Sequence, residues 1–404
     1  MARGWPTAAA LLAVLGCAGR PTRASSFWKA QPDTAGSRSL ESRHRRAAPG
    51  PLPDGLRFCS LDASGRPGVR ELRRFLNTHY QSDAPFRISR TSQALVWALL
   101  PPGSPPDWLV GVRDRDGRLV ACGAAVPRRI SVDGREMDAA EVTYLCVQPS
   151  LRRTGLVSRL VAEIARRVAN RGVRVALYTT QRAVQGPICR LAYWHRPLRP
   201  RRLVRAGFVD VEEPFFDVYA RFCRLDPVGP GAALRRLRRA DVPACASLLS
   251  ESRRRFRLAV VHPSEEDLWH WLRCRRGAVV TFVVEDPASG QACALVALAL
   301  SRATAVGARW PWRAVRAATL HTVACAEGGP APAQVLNAAL HRAKALGCHV
   351  VTAVESGETQ PLLKPLRFQQ GDGALEAHLY NYGLPGTGPG RKAVAAGDVA
   401  LPLA

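Results

Sequence analysis

Hydrophobic and polar positions follow two different periods along the first half of the chain. Residues 71–80 have the spacing of an amphipathic helix, and so does "TSQALVWALL", which ends at a proline pair. "WLVGVRD" and "RLVACGAAVPRRISV" are strand-like runs joined by a turn at Asp116 and Gly117, and "AAEVTYLCVQP" is a further buried strand. The amphipathic segment "SRLVAEIARRVANRG", which ends at Gly172, and the strand "VRVALYTT" follow. This half therefore predicts an α/β unit.

The second half repeats this order. A helix is predicted for "LRRADVPACASLLSESRRRF", with Asp241 near its start, and a hairpin for "VVTFVVEDPASGQACALVALAL". A helix ending at Gly347 and the strand "CHVVTAVES" come next. In both halves a short segment follows that ends in an aromatic residue, Phe208 or Phe368. The pattern predicts a tandem of two similar α/β units, joined near the Pro- and Gly-rich "RLDPVGPGAAL".

Composition adds a strong positive charge to this picture. The 404 residues suffice for two or three domains, and a hydrophobic content of 47% provides a sizeable core. The formal net charge of +26 favours an anionic partner such as nucleic acid, an acidic membrane or a phosphate-rich cofactor. The excess is mostly arginine scattered among Ala, Gly and Pro, so it fits a solvated surface of drifted composition equally well.

The cysteines and the N-terminus bear on the compartment. The 11 cysteines include no C-x-x-C pair and no Cys/His cluster with zinc-finger spacing, so we expect reduced thiols and no metal site. The start, "MARGWPTAAALLAVLGCAGR", has the basic residue and short apolar stretch of a secretory signal. That stretch is too short to span a membrane as a helix, and no other apolar run has membrane length.

The segment "RRTGLV" lies between a predicted strand and a predicted helix. Gly155 lets backbone amides approach a phosphate, while the helix N-terminus and the arginines favour an anion. The spacing resembles the R-x-x-G-x-A/G pyrophosphate loop of GNAT-type acyltransferases, which bind acyl-CoA. A plain strand–turn–helix with arginines would look the same, so both interpretations stay open.

Acyl transfer from a thioester creates negative charge on a carbonyl oxygen, which two preorganised backbone N–H groups can stabilise. A strand that ends in a bulge beside the "RRTGLV" loop would supply them at Tyr144 and Leu145. Cys146 is the alternative, as a nucleophile. No histidine or aspartate close in the sequence would activate this thiol, and Val147 continues an apolar strand, so we interpret Cys146 as a core residue.

Several longer motifs resemble the glycylpeptide N-tetradecanoyltransferase (N-myristoyltransferase) family. In order, they are "FWKAQP", "FRISRTSQALVWALLPPG", "WLVGVR", "YLCVQPSLR", "YTT", "YWHRPLRPRRL", "VTFVVED", "RFQQGDG", "LYNY" and "DVALPLA", spanning Phe27 to the last residue. "FWKAQP" and "YWHRPLRPRRL" are the most specific. The resemblance implies an α/β (α+β) fold made of two fused GNAT-like (acyl-CoA N-acyltransferase) domains with pseudo-two-fold symmetry.

The resemblance also implies a division of the chain. Residues 1–23 form a signal-like or disordered N-terminus, and residues 24–53 form an arm with a segment that covers CoA. Residues 54–225 form the N-terminal GNAT-like domain, which binds myristoyl-CoA. Residues 226–404 form the C-terminal GNAT-like domain, which binds the acceptor peptide and places its tail in the active site.

Roles for individual residues come from the same resemblance. The amides of Tyr144 and Leu145 form the oxyanion hole, the terminal carboxylate of Ala404 is the base, and Thr179 helps to hold the amine. The set that covers or cradles CoA is Phe27, Trp28, Arg152, Arg153, Thr154, Gly155, Leu156, Val157 and Ser158. The set that lines the peptide groove is Tyr80, Phe86, Tyr193, His195 and Asp372. His195 could equally be a hydrogen-bonded core histidine, and Asp372 a turn residue.

The implied reaction uses myristoyl-CoA as co-substrate, without a prosthetic group or metal. The CoA ester binds first, and the amine of an N-terminal glycine attacks the thioester directly, without an acyl-enzyme. We expect a cytoplasmic monomer, with ribosomes or a membrane surface as further partners of the basic chain. Two alternatives stay open: another GNAT-type acyl-CoA N-acyltransferase, and a degenerate, non-catalytic protein that binds acyl-CoA or acts through its basic surface.

The sequence departs from the family pattern at several positions. Only Asp83 remains of an acidic run after Tyr80, Ile88 and Arg90 replace aromatic groove residues, and Thr143 replaces an asparagine near the amine. An insertion, "GTGPGRKAVAAG", lengthens the approach to the tail. These changes argue against a preference for lysine-bearing substrates and leave the level of activity open.

Overall fold

The computed structural model describes residues 49–80, 86–181, 186–229, 231–305, 314–384 and 393–402. Phe27, Trp28, Asp83 and Ala404 lie outside these residues. The helices of the described part are α1 Arg66–His79, α2 Ser92–Leu99, α3 Leu156–Asn170, α4 Pro200–Arg205, α5 Phe216–Phe222, α6 Val242–Arg253, α7 Glu265–Leu272, α8 Pro332–Ala345 and α9 Gln360–Leu363. None of them is long and apolar enough to cross a membrane.

The described strands all join one sheet. They are β1 Arg57–Ser60, β2 Phe86–Ser89, β3 Leu109–Arg113, β4 Leu119–Val132, β5 Arg135–Val147, β6 Val175–Thr180, β7 Cys189–Pro197, β8 Leu234–Arg236, β9 Leu258–Val261, β10 Val279–Glu285, β11 Ala292–Ala305, β12 Ala314–Cys325, β13 Val350–Val354, β14 Gln369–Tyr380 and β15 Val399–Ala400. The predicted strands and hairpins are therefore present in both halves.

The order of the strands shows the repeat. The main path runs β3-β4-β5-β6-β14-β7-β13-β12-β11-β10. The equivalent strands of the second half therefore follow in the reverse order from the β14–β7 pair outward. The halves also exchange strands: β2 of the first pairs with β11, while β9 of the second pairs with β4. The predicted tandem of two similar units is confirmed, and the exchange fuses them into one sheet. The domain limits at 53/54 and 225/226 stay a prediction.

Helices α3 and α8 occupy equivalent places in the two halves. Leu156, Leu160, Ile164 and Val168 recur every fourth residue on the buried face of α3, as an amphipathic helix requires. Helix α8 packs its own buried face into the core of the second half. Each helix connects two parallel strands: α3 lies between β5 and β6, and α8 lies between β12 and β13.

The two short segments that end in phenylalanine adopt the same turn. The amide of Phe208 donates to the carbonyl of Leu203, and the amide of Phe368 to the carbonyl of Leu363, both at 2.9 Å. Such a bond closes a helix through one residue of left-handed conformation, and Gly207 has φ 68°. Arg367 takes that conformation in the second half, with φ 56°. Both phenylalanines are buried, so the repeat extends to single turns.

Helices α2 and α7, related by the repeat, connect the two halves. The indole of Trp97 donates to the carbonyl of Trp271 at 3.2 Å, and Nε2 of His270 donates to the carbonyl of Trp97 at 2.7 Å. The guanidinium of Arg128 lies 3.8 Å from the ring centroid of Trp271 and bonds Glu141 at 2.6 Å. These buried contacts fix the first half against the second.

Candidate active site

Strand β5 carries a bulge close to its end. Opposite it on β4, Cys122 pairs with Cys146 and Ala124 with Thr143, so Gly123 alone faces both Tyr144 and Leu145. Tyr144 has φ 52°, a left-handed conformation that is uncommon for a residue with a side chain. An extra residue in one strand interrupts the ladder and turns its amides away from the neighbouring strand. The structure thus places a bulge at the two residues predicted for the oxyanion hole.

Gly123 is the residue that leaves room for this bulge. A Cβ atom at this position would lie 2.8 Å from Cδ1 of Ile164 and 3.1 Å from Cδ1 of Leu145. The first distance is shorter than carbon atoms tolerate without movement. A side chain at this position would therefore press on Ile164 of α3 and on Leu145 of the bulge.

The thiol of Cys146 lies in the core. Its residue is only 3% exposed and packs in an apolar cluster with Cys122, its partner across the strands. Burial raises the pKa of the Cys122 thiol well above its ordinary value. The ten cysteines of the described residues are all free thiols, as the sequence predicts for that part of the chain. The apolar surroundings support packing as the function of Cys146.

The loop after β5 has the shape of an anion site. Arg153 and Gly155 have φ 69° and 78°, and helix α3 begins at Leu156 without a side-chain cap or an acidic residue in its first turn. Residues of alternating handedness point their N–H groups to one side, and the first amides of a helix lack partners within it. Arg153 is exposed, so a charged side chain lies beside these amides.

Three of the residues predicted to cradle the phosphates make hydrogen bonds or apolar contacts within the protein. The guanidinium of Arg152 donates to the carbonyls of Val147 at 3.2 Å and His79 at 3.0 Å, so it fastens the loop to the ends of β5 and α1. The side chain of Leu156 is buried, and only its backbone faces the loop. Thr154 bonds the carbonyl of Leu151 at 2.8 Å. These contacts hold the loop in its observed shape.

Arg159 was missed in the sequence. It lies one helical turn after Gly155, is exposed, and its guanidinium donates to the carbonyl of Thr154 at 3.3 Å. Its spacing of four residues from Gly155 is the signal that could have identified it. With Arg153 it provides two exposed cations at the N-terminus of α3, next to the half-buried Val157 and Ser158.

The predicted groove residues fall into two aromatic clusters. The rings of Tyr80 and Tyr144 lie 6.0 Å apart, and Tyr80 also interacts electrostatically with Tyr193. In the second cluster, the ring of Phe208 lies 5.6 Å from Phe86 and 5.6 Å from His195. The structure therefore places Tyr80 and Tyr193 in a cluster with Tyr144 of the bulge, and Phe86 and His195 in a second cluster around Phe208.

The two ring nitrogens of His195 have different surroundings. Its Nδ1 bonds the hydroxyl of Thr352 at 3.0 Å, as in a core histidine. Its Nε2 is buried and bonds no described residue, and a Cβ on Gly371 would lie only 2.7 Å from that nitrogen. Burial lowers the pKa of His195 to about 4, so the ring is neutral at neutral pH. A buried nitrogen in this position is suited to a hydrogen bond with a substrate.

Thr179 also has a buried polar atom without a hydrogen-bond partner among the described residues. It lies on β6 opposite Ala377, and its hydroxyl is buried without a hydrogen bond to any residue in the described ranges. Buried hydroxyls are normally paired, because an unpaired one costs about 1–3 kcal/mol. An amine held at this position would supply the missing partner.

Asp372 is exposed on a broad bulge of β14. The register with β7 jumps between Gln370 and Ala374, so Asp372 and its two neighbours stand out opposite Tyr193. The carboxylate lines a cavity of about 380 Å³ together with Arg190 and Glu355. Asp372 therefore belongs to an irregular strand rather than to a simple turn.

The last described residues of the chain, 399–402, lie close to the predicted groove. Strand β15 pairs in parallel with β9, and the amide of Gly357 donates to the carbonyl of Val399 at 2.8 Å. Leu401 is buried in the same apolar cluster as Tyr193. The predicted base, Ala404, and the predicted CoA cover, Phe27 and Trp28, lie outside the described residues.

Comparison with known proteins gives a consistent result. The N-terminal domain of myristoyl-CoA:protein N-myristoyltransferase matches residues 38–190, and the C-terminal domain matches residues 218–400. A probable glycylpeptide N-tetradecanoyltransferase of Caenorhabditis elegans is 32% identical over 83% of this chain and 75% of its own length. The glycylpeptide N-tetradecanoyltransferase of Drosophila melanogaster is 29% identical over 90% of this chain and 79% of its own.

Solved structures agree on the fold. An N-myristoyltransferase of Saccharomyces cerevisiae with bound myristoyl-CoA superimposes with a TM-score of 0.82 at 24% identity, covering 92% of this chain and 89% of that one. A second structure from this organism, with myristoyl-CoA and inhibitors, gives a TM-score of 0.81 at 25% identity, covering 92% and 91%. The predicted α/β fold of two GNAT-like halves is thereby confirmed.

Proposed function

The chain belongs to the myristoyl-CoA:protein N-myristoyltransferase family, and we propose that it is a glycylpeptide N-tetradecanoyltransferase. In this reaction the amine of an N-terminal glycine attacks the carbonyl carbon of myristoyl-CoA. A C–N bond forms, the C–S bond breaks, the CoA thiolate leaves, and the amine gives up a proton. The other GNAT-type activities considered from the sequence are not favoured by these matches.

The observation that carries the proposal is the bulge at Tyr144 and Leu145, a few residues before the anion loop. In the tetrahedral intermediate the former carbonyl oxygen bears the negative charge. Two amides already turned out of the ladder can stabilise it, and one such donor is worth about 2.7–4 kcal/mol in other enzymes. The rigid neighbouring strand keeps these donors in place before the reaction begins.

The loop at the start of α3 would bind the phosphates of CoA. Its backbone amides and the cations of Arg153 and Arg159 converge on one end of the helix, where the helix dipole also favours an anion. Arg152 would keep the loop in register with β5. The thioester would then lie beside the bulge, because the bulge and the loop are adjacent along the chain.

The acceptor would lie between the two aromatic clusters. The hydroxyl of Thr179 and Nε2 of the neutral His195 are the buried polar atoms with unused hydrogen-bonding capacity in the described part of the site. A neutral ring is useful here, since a cationic one would repel an ammonium group. Tyr80, Phe86, Tyr193 and Asp372 would line the remaining groove.

For the proton, we propose the terminal carboxylate of Ala404, as the family resemblance implies. The anchored β15 and the buried Leu401 support this role, because they lead the tail into the cluster that contains Tyr193. A carboxylate held away from water has a raised pKa, which makes it a better base near neutral pH.

The test is a transfer assay with labelled myristoyl-CoA and a peptide that begins with glycine. We expect label on that peptide and none on a matched peptide that begins with alanine. Acetyl-CoA should compete poorly, because burying the twelve additional methylenes is worth up to roughly 10 kcal/mol. Absence of transfer, with a known N-myristoyltransferase active in parallel, would overturn the proposal.

We also propose that the protein works in the cytoplasm as a monomer, where it would meet nascent chains on ribosomes or a membrane surface. The free thiols of the described residues support a reducing compartment. Sequencing the N-terminus of the mature protein tests this: removal of the first 20 or so residues at a signal cleavage site would contradict it.

A further inference from the structure

Arg90 lies on the inward face of the strand that opens the groove. Along β2, Phe86 and Ile88 are buried while Arg87 and Ser89 are exposed, so the next inward position belongs to residue 90. The side chain there is a half-buried guanidinium rather than an apolar group. A cation at such a position is expensive unless something compensates its charge.

The guanidinium is held in a fixed place beside the bulge. Its central carbon lies 4.5 Å from the ring centroid of Tyr80 and 5.3 Å from that of Tyr144. The amide of Arg90 donates to Oδ1 of Asn77 at 2.9 Å, and Nδ2 of Asn77 donates back to the carbonyl of Arg90 at 3.2 Å. One guanidinium N–H also reaches the carbonyl of Ile88 at 3.3 Å. Asn77 was not identified from the sequence.

The neighbours of Arg90 that the structure describes leave its positive charge uncompensated. In the residues that the structure describes, the contacts of Arg90 are with aromatic rings, a carbonyl and the Tyr144 hydroxyl, and none is with a carboxylate. Burial raises the pKa of Tyr80 and of Tyr144, so both phenols stay neutral. A guanidinium has five donors, of which these contacts use a minority, and its planar fork fits a carboxylate.

We propose that Arg90 determines substrate specificity by binding an acidic side chain of the acceptor, close to its N-terminal glycine. This inference rests on the proposed function. The guanidinium lies against the ring of Tyr144, a residue of the bulge whose amides form the proposed oxyanion hole. An acceptor whose glycine lies at the bulge therefore passes Arg90 within its first few residues. A lysine there would meet a like charge, whereas a glutamate or aspartate would complete a charge-assisted pair.

The first test compares acceptors and needs no variant. Peptides that begin with glycine carry Glu, Gln or Lys at the second, third, fourth and fifth positions in turn, and kcat/KM is measured for each. At one or more positions we expect the Glu peptide to exceed the Lys peptide by about tenfold or more, as for hydrogen bonds to charged groups. Because half-buried charges are partly screened, the ratio should shrink as salt is added.

The second test assigns this discrimination to Arg90. Arg90→Gln should bring the Glu:Lys ratio to within about twofold of unity, mainly by raising KM for the Glu peptide, and Arg90→Lys should retain part of it. Arg87→Gln removes the same charge from the outward face of β2 and should leave the ratio unchanged.

The outcomes separate this inference from the proposed function. Absence of transfer to every peptide would contradict the proposed function itself. Transfer without discrimination between Glu and Lys would overturn the role of Arg90 alone. An equal loss of kcat for all peptides in Arg90→Gln would also overturn it, because Arg90 would then act on a step common to all acceptors.

Discussion

At the scale of single residues, backbone conformation carries the chemistry more than reactive side chains do. Tyr144 adopts φ 52°, and a strained residue of this kind persists only where its surroundings enforce it. The facing Gly123 does so by leaving space for Leu145 and Ile164. Cys146, the nucleophile considered from the sequence, lies in the core cluster that also contains Tyr144.

Gly123→Ala tests this dependence. The new methyl group would press on Ile164 and Leu145, so we expect kcat to fall by about ten- to a hundredfold, with a loss of stability of about 1–3 kcal/mol. Peptide transfer and urea unfolding measure the two effects. Adding Ile164→Val removes the methyl group at 2.8 Å and should restore part of the activity. An unchanged kcat in the single variant would contradict a role for the bulge geometry.

At the scale of elements, the arginines between β5 and the first turn of α3 have two different roles. Arg152 holds the loop against the protein, while Arg153 and Arg159 are exposed beside the helix N-terminus. Surface cations contribute modestly to the binding of an anion, whereas a half-buried guanidinium that donates to two carbonyls contributes to folding.

Charge removal at these positions should separate the two roles. Arg153→Gln and Arg159→Gln should each raise KM for myristoyl-CoA about three- to tenfold and leave kcat and the unfolding free energy nearly unchanged. Arg152→Gln should lower stability by about 1–3 kcal/mol, because two carbonyls lose their donor. Steady-state kinetics and urea unfolding give both quantities. Equal effects of all three substitutions would contradict the assignment of different roles to Arg152 and to Arg153 and Arg159.

The elements themselves were largely predictable, because helix and strand periods are local properties. Helix α3, the β10–β11 hairpin and the loop at Gly155 lie where the pattern indicates. The helix predicted for residues 71–80 begins earlier, at Arg66, since a proline is well tolerated in a first turn. The left-handed Tyr144 and the bonds of Arg152 were not predictable, because they depend on Gly123 and His79, which are distant in sequence.

At the scale of the whole molecule, the repeat was readable but the exchange of strands was not. Pairing of β2 with β11 and of β9 with β4 joins segments about two hundred and about one hundred and thirty residues apart, as their numbering shows. Sequence periodicity specifies a strand but not its distant partner. The exchange matters for the proposed site, because it places Phe86, a residue of the predicted groove, against β11 of the second half.

Buried histidines should make the whole fold sensitive to acid. Burial lowers the pKa of His195, His262, His270 and His378 to about 4 each. An unfolded histidine titrates near 6.5, so the unfolded chain binds more protons between these values. Stability should therefore be constant above about pH 6.5 and fall as the pH is lowered toward 4, by up to about 1.4 kcal/mol per pH unit for each histidine.

Urea unfolding at several pH values measures this loss, and His270→Gln checks its origin. Glutamine can still donate to the carbonyl of Trp97 but does not titrate, so the slope should decrease by about one proton. A free energy of unfolding that stays flat down to pH 4 would contradict the burial of these rings.

Truncation of the C-terminus tests the proposed base. Removing Leu403 and Ala404 should lower the rate of peptide transfer at least about a hundredfold, since general base catalysis contributes about 10²–10⁴-fold. Binding of myristoyl-CoA should persist, because the anion loop lies in the first half. Unchanged turnover in the truncated protein would exclude the terminal carboxylate as the base.

The central claim is direct attack by the glycine amine on a thioester polarised by backbone amides, with Cys146 as a core residue. Intact-mass spectrometry of the protein after incubation with myristoyl-CoA, before and after addition of a glycine-initiated peptide, tests it most directly. We predict an unmodified protein at both times and a peptide that gains one myristoyl group on its terminal amine, with Cys146→Ala retaining most of this transfer. A myristoylated protein that loses its acyl group when the peptide is added, and that fails to form in Cys146→Ala, would contradict the claim.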